Sequence, residues 1–278
     1  MYRKGTEKMT HNSSSIRKLA AIALVVIMLA AILTGCGSAA GAAGSDIITS
    51  VVKGSAEDTA AAAKVATEAE NPAAALKDAK TGDTVKFGKF EQDGNADNGV
   101  EDIEWTVICK DGGMICLISK VGLAAKAYNE SEDGASHNTS WEKCSLRKWL
   151  NEDFFGAAFS DDEKKSVPTV KVVNYDTNTE DKVYLLSIAE AQSAGYAMDT
   201  PEKRMTQASA AAISAGAVTY TDSQNGGLTT CSWWLRSAGA GSTLAAYVHF
   251  NGSVMVSGRA AETADRAVRP VIWVYVGE

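Results

Sequence analysis

The sequence predicts an α+β domain, mainly an antiparallel sheet with short helices, carried behind an export signal and an alanine-rich stalk. Three observations predict it. All six Trp and all six Phe lie at or after Phe87, so the residues able to build a core occupy the C-terminal two-thirds. Alternating apolar and polar runs with hairpin dipeptides mark both ends of that region, the period-two signal of half-buried strands. Helical spacing fills the middle, and the order strands, helices, strands lacks the alternation of a parallel βαβ sheet.

The first element is a targeting segment. Arg17 and Lys18 precede an apolar run from Leu19 to Leu33, about the length of a signal-peptide core and without a stop-transfer flank. Leu33-Thr34-Gly35-Cys36 closes the run and resembles a bacterial lipobox. That resemblance implies that residues 1–35 are a lipoprotein signal peptide and that Cys36 is lipidated on its sulfur. It places the protein, lipid-anchored, on the outer face of the cytoplasmic membrane. An uncleaved anchor and a simple secretory signal are the alternatives. Residues 1–35 hold five of the 27 basic and one of the 34 acidic residues, so 22 basic and 33 acidic residues remain, a formal −11. Such a surface repels nucleic acid and anionic head groups. Nucleic acid is excluded as a partner, and membrane attachment falls to the acyl chains.

Residues 36–81 read as the tether. Gly37–Ser45 is a flexible composition, and residues 37–80 contain fifteen Ala and no aromatic residue. Ser55 and Asn71-Pro72 punctuate two helical stretches, and Gly82 ends the second. The domain follows at 82–278.

Asp83–Phe90 alternates as a strand. Ile103–Cys109 and Met114–Lys120 flank Asp111-Gly112-Gly113 as a hairpin, which sets Cys109 opposite Cys116. A cross-strand bridge and two small buried hydrophobes are both open there, and Cys109, Cys116, Cys144 and Cys231 allow three pairings. Thr139-x-x-Glu142 is a capping box ahead of Leu146, Trp149, Leu150 and Phe154 at helical spacing, and Ser160-x-x-Glu163 is a second. Thr169–Tyr175 and Lys182–Leu186 read as strands, Ser187-x-x-Glu190 as a helix start, and Thr206–Ala215 as a helix. Ser232–Ser237 is a strand, Ala245–Phe250 pairs with Ser253–Val256 around Asn251-Gly252, and Val268–Val276 is the last strand.

Taken together, Gly82-Asp83-Thr84-Val85-x-Phe87-Gly88, Ile103-Glu104-Trp105, Trp141-x-x-Cys144-x-Leu146-Arg147-x-Trp149-Leu150, Ser232-Trp233-Trp234-Leu235-Arg236-Ser237 and Ala267-Val268-Arg269-Pro270-Val271-Ile272-Trp273 resemble the DUF6273 family of exported Gram-positive bacterial proteins. Ala238 and Val271 depart from its usual Pro and Ala. The Trp-Trp-x-Arg-Ser and Val-Arg-Pro endings are similar to those of formylglycine-generating-enzyme-like and C-type-lectin-like domains. The resemblance implies an irregular α+β domain whose last strands and loops present a ligand surface. The copper-holding cysteine pair of the sulfatase-modifying enzymes has no counterpart, since only Cys231 lies in that region.

Candidate ligand-binding residues are Trp234, Arg236, His249, Asp265 and Arg269. Arg236 and Arg269 sit in apolar strands, where a guanidinium needs carboxylate or carbonyl partners. One reading is a fork offered to an anionic or polyol ligand. The other is a structural ion pair with an acid such as Glu104 or Asp265. Trp233 and Trp234 point to opposite faces of a strand, so one is core and the other either core or a stacking platform. Asp93, Asn95, Asp97 and Glu104 fall at calcium-loop spacing, although the glycine comes one place late and strands flank the loop. Calcium is the one metal expectation, and no other cofactor is indicated. His137 and His249 are too few for a zinc site.

These residues lead to a surface lipoprotein with a non-catalytic domain for an extracellular glycan or protein ligand. Two alternatives stand beside it: an extracytoplasmic enzyme using Cys231 or a His249–acid pair on cell-wall or exported substrates, and a structural or adhesive module.

Overall fold

The computed structural model describes residues 72–130, 139–223 and 227–277. The chain divides into two units, Met1–Ala63 and Lys64–Glu278, and every described residue belongs to the second. The signal segment, Cys36, the stalk up to residue 71 and His137 lie outside the described residues. Among the described residues no helix is long and apolar enough to cross a membrane.

The domain is α+β, mostly antiparallel sheet with a few short helices. One five-stranded sheet has the order β1 (Thr84–Phe90), β2 (Glu101–Asp111), β3 (Met114–Ser119), β14 (Val271–Tyr275), β7 (Val183–Tyr184). The other runs β12 (Val254–Ala260), β11 (Leu244–Val248), β10 (Trp233–Ala238), β13 (Ala267–Val268), β4 (Ala124–Ala125). Two hairpins, β5 (Val170–Val172) with β6 (Thr179–Asp181) and β8 (Thr219–Asp222) with β9 (Leu228–Cys231), stand apart. Among the described residues β10 pairs with β13 in parallel, as does the isolated bridge between Gly122 and Ala208.

The two sheets are joined by a bent ribbon. β14 pairs with β3 in the first sheet and β13 with β4 in the second. Between those ladders, residues 119–123 span on one side what Arg269-Pro270 spans on the other. The expected single strand Val268–Val276 is therefore broken, because Pro270 has no amide to donate to a ladder. The Ser119 and Leu123 amides carry the pairing across the bend by donating to the Pro270 and Val268 carbonyls at 3.0 and 2.9 Å.

Both hairpins form, with different turns. Asp111 faces Met114 across Gly112-Gly113, and Gly112 supplies the positive φ of 56°. The second pairs Val248 with Val254, and the Gly252 amide donates to the His249 carbonyl at 2.8 Å, so Phe250 and Asn251 form the turn rather than Asn251-Gly252. This is the three-residue loop that ends on a left-handed residue, here Gly252 at φ 81°.

The helices are shorter than periodicity suggests. Thr139 does not cap the first; Cys144 does, its sulfur accepting from the Arg147 amide at 3.4 Å. α1 (Ser145–Trp149) continues through a π-helical turn, Leu150–Phe154, into α2 (Phe155–Ala158). The widened turn presents Asn151, whose oxygen accepts from the Lys182 amide at 2.8 Å and whose nitrogen donates to the Val183 carbonyl at 2.8 Å. α3 (Asp161–Ser166) starts from the Ser160–Glu163 box, with both reciprocal bonds made. The Ser187–Glu190 box forms too, at the head of a 3-10 turn, Glu190–Gln192. A second 3-10 turn, Ala194–Tyr196, and α4 (Pro201–Arg204) follow. The Ala-rich helix reduces to α5 (Ala210–Ser214), because Ser209 caps it.

The core reaches past the expected boundary at 82: Ala73 and Leu76, around a 3-10 turn at Ala74–Leu76, are buried in it. Residues 72–80 pack with the domain. Leu76 is the apolar anchor by which this Ala-rich stretch joins the core.

Candidate functional site

The polar atoms of the aromatic and arginine motifs are met inside the protein, apart from Arg269 Nη1, which is buried without a hydrogen-bond partner among the described residues. Trp105, Trp141, Trp233 and Trp234 are fully buried, and their ring N–H groups donate to the Phe87 carbonyl, Asp181 Oδ2, the Arg204 carbonyl and the Lys126 carbonyl at 2.6, 2.9, 3.0 and 2.9 Å. β10 is covered on both faces, Trp233 to Arg236 all being buried, so Trp233 and Trp234 are both core. Neither offers a face to a ligand.

Arg236 is 3% exposed and spends all five of its N–H donors inside the protein. Nε donates to Asn174 Oδ1 at 3.0 Å, Nη1 to the Leu185 carbonyl at 2.8 Å, and Nη2 to the Val173 carbonyl at 3.0 Å. Nη1 and Nη2 grip both oxygens of Glu190 in a two-pronged pair. The acid is neither of those expected. Glu104 stands exposed on β2, paired with Lys120 at 2.9 Å, and Asp265 pairs with Arg259 and Arg266 at 3.0 and 3.2 Å. Glu190 is 46 residues away in sequence, so its second role is invisible in its capping box.

Among the described residues no acid pairs with Arg269. Buried at 3% exposure, it donates Nε and Nη2 to the Ser119 carbonyl at 3.0 and 2.9 Å and lies over the Trp233 ring, 4.8 Å from its centre. Desolvation lowers its pKa to about 10. It staples the ribbon bend, where Pro270 leaves a ladder bond unmade.

The other predicted groups lie apart. Asp93, Asn95 and Asp97 form a turn closed by its own amides, and the Asn98 side chain holds the Asp93 carboxyl below its usual range. Glu104 does not join them. Glu91, Asp93 and Glu101 instead bring their oxygens within 4.8 Å of one another, and Glu91 and Glu101 already accept backbone amides. An open groove of about 550 Å³ runs between β1 and the 157–160 turn. Its charged groups are committed: Lys86 and Lys89 to Asp102, Glu163 to its capping box and the Gly88 amide.

Cys144, Cys231, His249, Ser145 and Ser237 do not assemble a nucleophile. Cys144 and Cys231 are buried, and burial pushes each thiol up to about 12. The His249 ring meets Asn251 Oδ1 at 3.2 Å. The Ser145 and Ser237 hydroxyls accept amides from Glu130 and Ile188.

His249 does belong to a surface feature. Its ring lies 3.9 Å from Phe250, which stacks on Tyr220 at 4.2 Å with the planes 23° apart; Tyr247 stands on the other side of His249 at 6.3 Å, with Arg266 over it at 4.6 Å. The row ends at Tyr220, 48% exposed, beside exposed Leu228 on the same face of the β8–β9 hairpin. Thr230 Oγ1 ties that hairpin to the turn by donating to the Phe250 carbonyl at 2.8 Å. Of the five residues singled out in the sequence, only His249 stands in this row, with Asp265 reaching it through Arg266. Tyr220 and Phe250 were missed. Their only sequence signals are the alternation Val218-Thr219-Tyr220-Thr221 and the place of Phe250 beside a hairpin dipeptide.

A protein-family model described as "Domain of unknown function (DUF6273)" matches residues 112–276. No curated protein and no solved structure matches the chain. The family match starts at the β2–β3 turn, whereas β1 and β2, ahead of it, complete the first sheet.

Proposed function

The chain belongs to the DUF6273 family, and we propose that it is a surface-anchored bacterial lipoprotein presenting a non-catalytic domain that binds a glycan. The observation that carries this reading is the aromatic row Tyr220–Phe250–His249, exposed at Tyr220 and half-buried at Phe250 and His249. A sugar ring has an apolar face that stacks on an aromatic one and a hydroxyl rim that needs polar neighbours. The outer face of Tyr220 supplies the first, and Asn251 and His249 the second. Exposed apolar groups gathered on two tied hairpins are the kind of patch that marks an interaction site. The formal charge of −11 left after residues 1–35, 22 basic against 33 acidic residues, favours a neutral or cationic ligand. The Trp-Trp-x-Arg-Ser and Val-Arg-Pro endings support a C-type-lectin-like or formylglycine-generating-enzyme-like fold as the finer description.

Glycan and peptide arrays probed with the full chain, with and without calcium, test the reading. Glycan binding that falls about tenfold or more in Tyr220→Ala, as loss of an aromatic anchor worth about 1.4 kcal/mol requires, supports it. Binding confined to peptides moves the ligand class to protein. No binding on either array leaves a structural module. Replacing Cys36 by Ser tests the anchor: release from the membrane fraction is expected, and unchanged retention counts against lipidation.

A further inference from the structure

Two thiols that the aromatic surface does not use face each other across the first hairpin. Counting outward from the Gly112-Gly113 turn, Asp111 pairs with Met114, Lys110 with Ile115, and Cys109 with Cys116. Beyond them the register slips by one, so that Val107 faces Leu117. Without that slip the outer register would set Cys109 against Ile115. The turn register therefore aligns thiol with thiol, and the bulge at Ile108 confines the shift to the strand beyond them. Directly opposed antiparallel residues have Cα atoms about 4.5–5.5 Å apart, inside the roughly 4.4–6.8 Å that a disulfide spans.

Both thiols are free, and their surroundings differ. Cys109 is half-buried, whereas Cys116 is fully buried with its sulfur 3.7 Å from the Tyr184 hydroxyl. A hydrogen bond from Cys116 holds the Cys109 thiol below its ordinary pKa, against the nearby Glu190 and Asp111 carboxylates; burial pushes Cys116 well up. A reachable thiol with thiolate character beside a shielded one is the arrangement that disulfide exchange needs.

We propose that Cys109 and Cys116 form a thiol–disulfide exchange site for small disulfides of the glutathione type, with Cys109 attacking and Cys116 resolving. The Cys109 thiolate attacks one sulfur of R–S–S–R, forming a Cys109–S–S–R bond and expelling RS⁻. Cys116 then loses its proton and attacks Cys109 Sγ, expelling the second RS⁻. The protein dithiol is oxidised by two electrons to one disulfide, the small disulfide is reduced, and the two protein protons end on two RSH.

The test mixes the reduced full chain with oxidised glutathione, quenches by alkylation at timed intervals and maps each cysteine by mass spectrometry. Cleavage after Lys110 separates the two thiols, so a linked peptide pair reports their bridge. Cys231, pushed up to about 12, serves as the internal control. Its thiolate fraction is lower by about three decades or more, and intrinsic nucleophilicity recovers about half of that logarithm. Cys109 is expected to react at least ~30-fold faster, and the wild-type chain to end with the Cys109–Cys116 bridge. Cys116→Ser should stop at a glutathione mixed disulfide on Cys109. Reaction of Cys109 no faster than Cys231, or a wild-type chain that stops at the mixed disulfide, overturns the proposal.

Discussion

Replacing Arg236 by Met decides whether the tryptophan–arginine motif is a staple or a ligand fork. The substitution keeps much of the side-chain volume and removes five donors. It leaves the Glu190 carboxylate without its guanidinium, and the Leu185 and Val173 carbonyls and the Asn174 amide oxygen without their donor. Removing one partner of a buried ion pair costs about 3–5 kcal/mol. Glu190 keeps the Ser187 amide and its side chain is 20% exposed, which favours the lower end, about 3 kcal/mol. Arg236→Met and Glu190→Gln, singly and together, should show a coupling of roughly 1–3 kcal/mol in a double-mutant cycle. Urea unfolding followed by tryptophan fluorescence measures it, since buried Trp233 and Trp234 report on the same strand. A loss under about 1 kcal/mol in Arg236→Met, accompanied by loss of ligand binding in a folded protein, would refute the structural assignment.

Other outcomes follow from the same contacts. Gly252→Ala should cost more than about 2 kcal/mol, because φ there is 81° and a Cβ would sit 2.0 Å from the Pro201 carbonyl oxygen; an unchanged urea midpoint would remove that argument. Asp181→Asn should cost about 3 kcal/mol, since the buried carboxylate accepts Trp141 Nε1 at 2.9 Å and Arg147 Nε at 2.7 Å. Alkali should unfold the domain through its buried thiols. The folded state keeps the Cys144 and Cys231 protons up to about 12, where the unfolded chain loses them from about 9.0. Their contribution is thus full below pH 9.0 and lost as pH rises towards 12, at about 1.4 kcal/mol per pH unit for each thiol. Cys231→Ala, assayed under reductant between pH 9 and 10, should flatten that slope by about 1 kcal/mol per unit, since the unfolded thiol is only half ionised at 9.0; an unaltered slope contradicts it. Above pH 10 the lowered Arg269 acts in the opposite sense, because the fold sheds that proton before the unfolded chain does.

Much of the fold is legible in local pattern. The Ser160–Glu163 and Ser187–Glu190 boxes, the Gly112-Gly113 turn and the β11–β12 hairpin all depend on residues within a few positions of one another. The departures have different causes. Thr139 spends its hydroxyl on the distant Ser242 carbonyl while Cys144 caps the helix beside it, the last strand breaks where Pro270 lacks an amide, and the core extends to Ala73 because the domain offers Leu76 a buried place. The candidate site was less legible. Trp234, Arg236 and Arg269 carry the chemistry a ligand site would need, but partners 108, 46 and 150 residues away absorb it.

By itself the sequence determined the class of the domain, its two main hairpins and the alignment of Cys109 with Cys116, because strand period, turn geometry and helix caps are set by neighbours along the chain. Tertiary structure alone decided which polar groups are spent inside. A guanidinium or an indole N–H is free or satisfied according to the carbonyls and carboxylates that folding brings within about 3 Å, and no local pattern encodes that distance. Folding also stacked Phe250 between His249 and Tyr220, so that two unremarked aromatic residues from two hairpins joined a histidine the sequence had singled out.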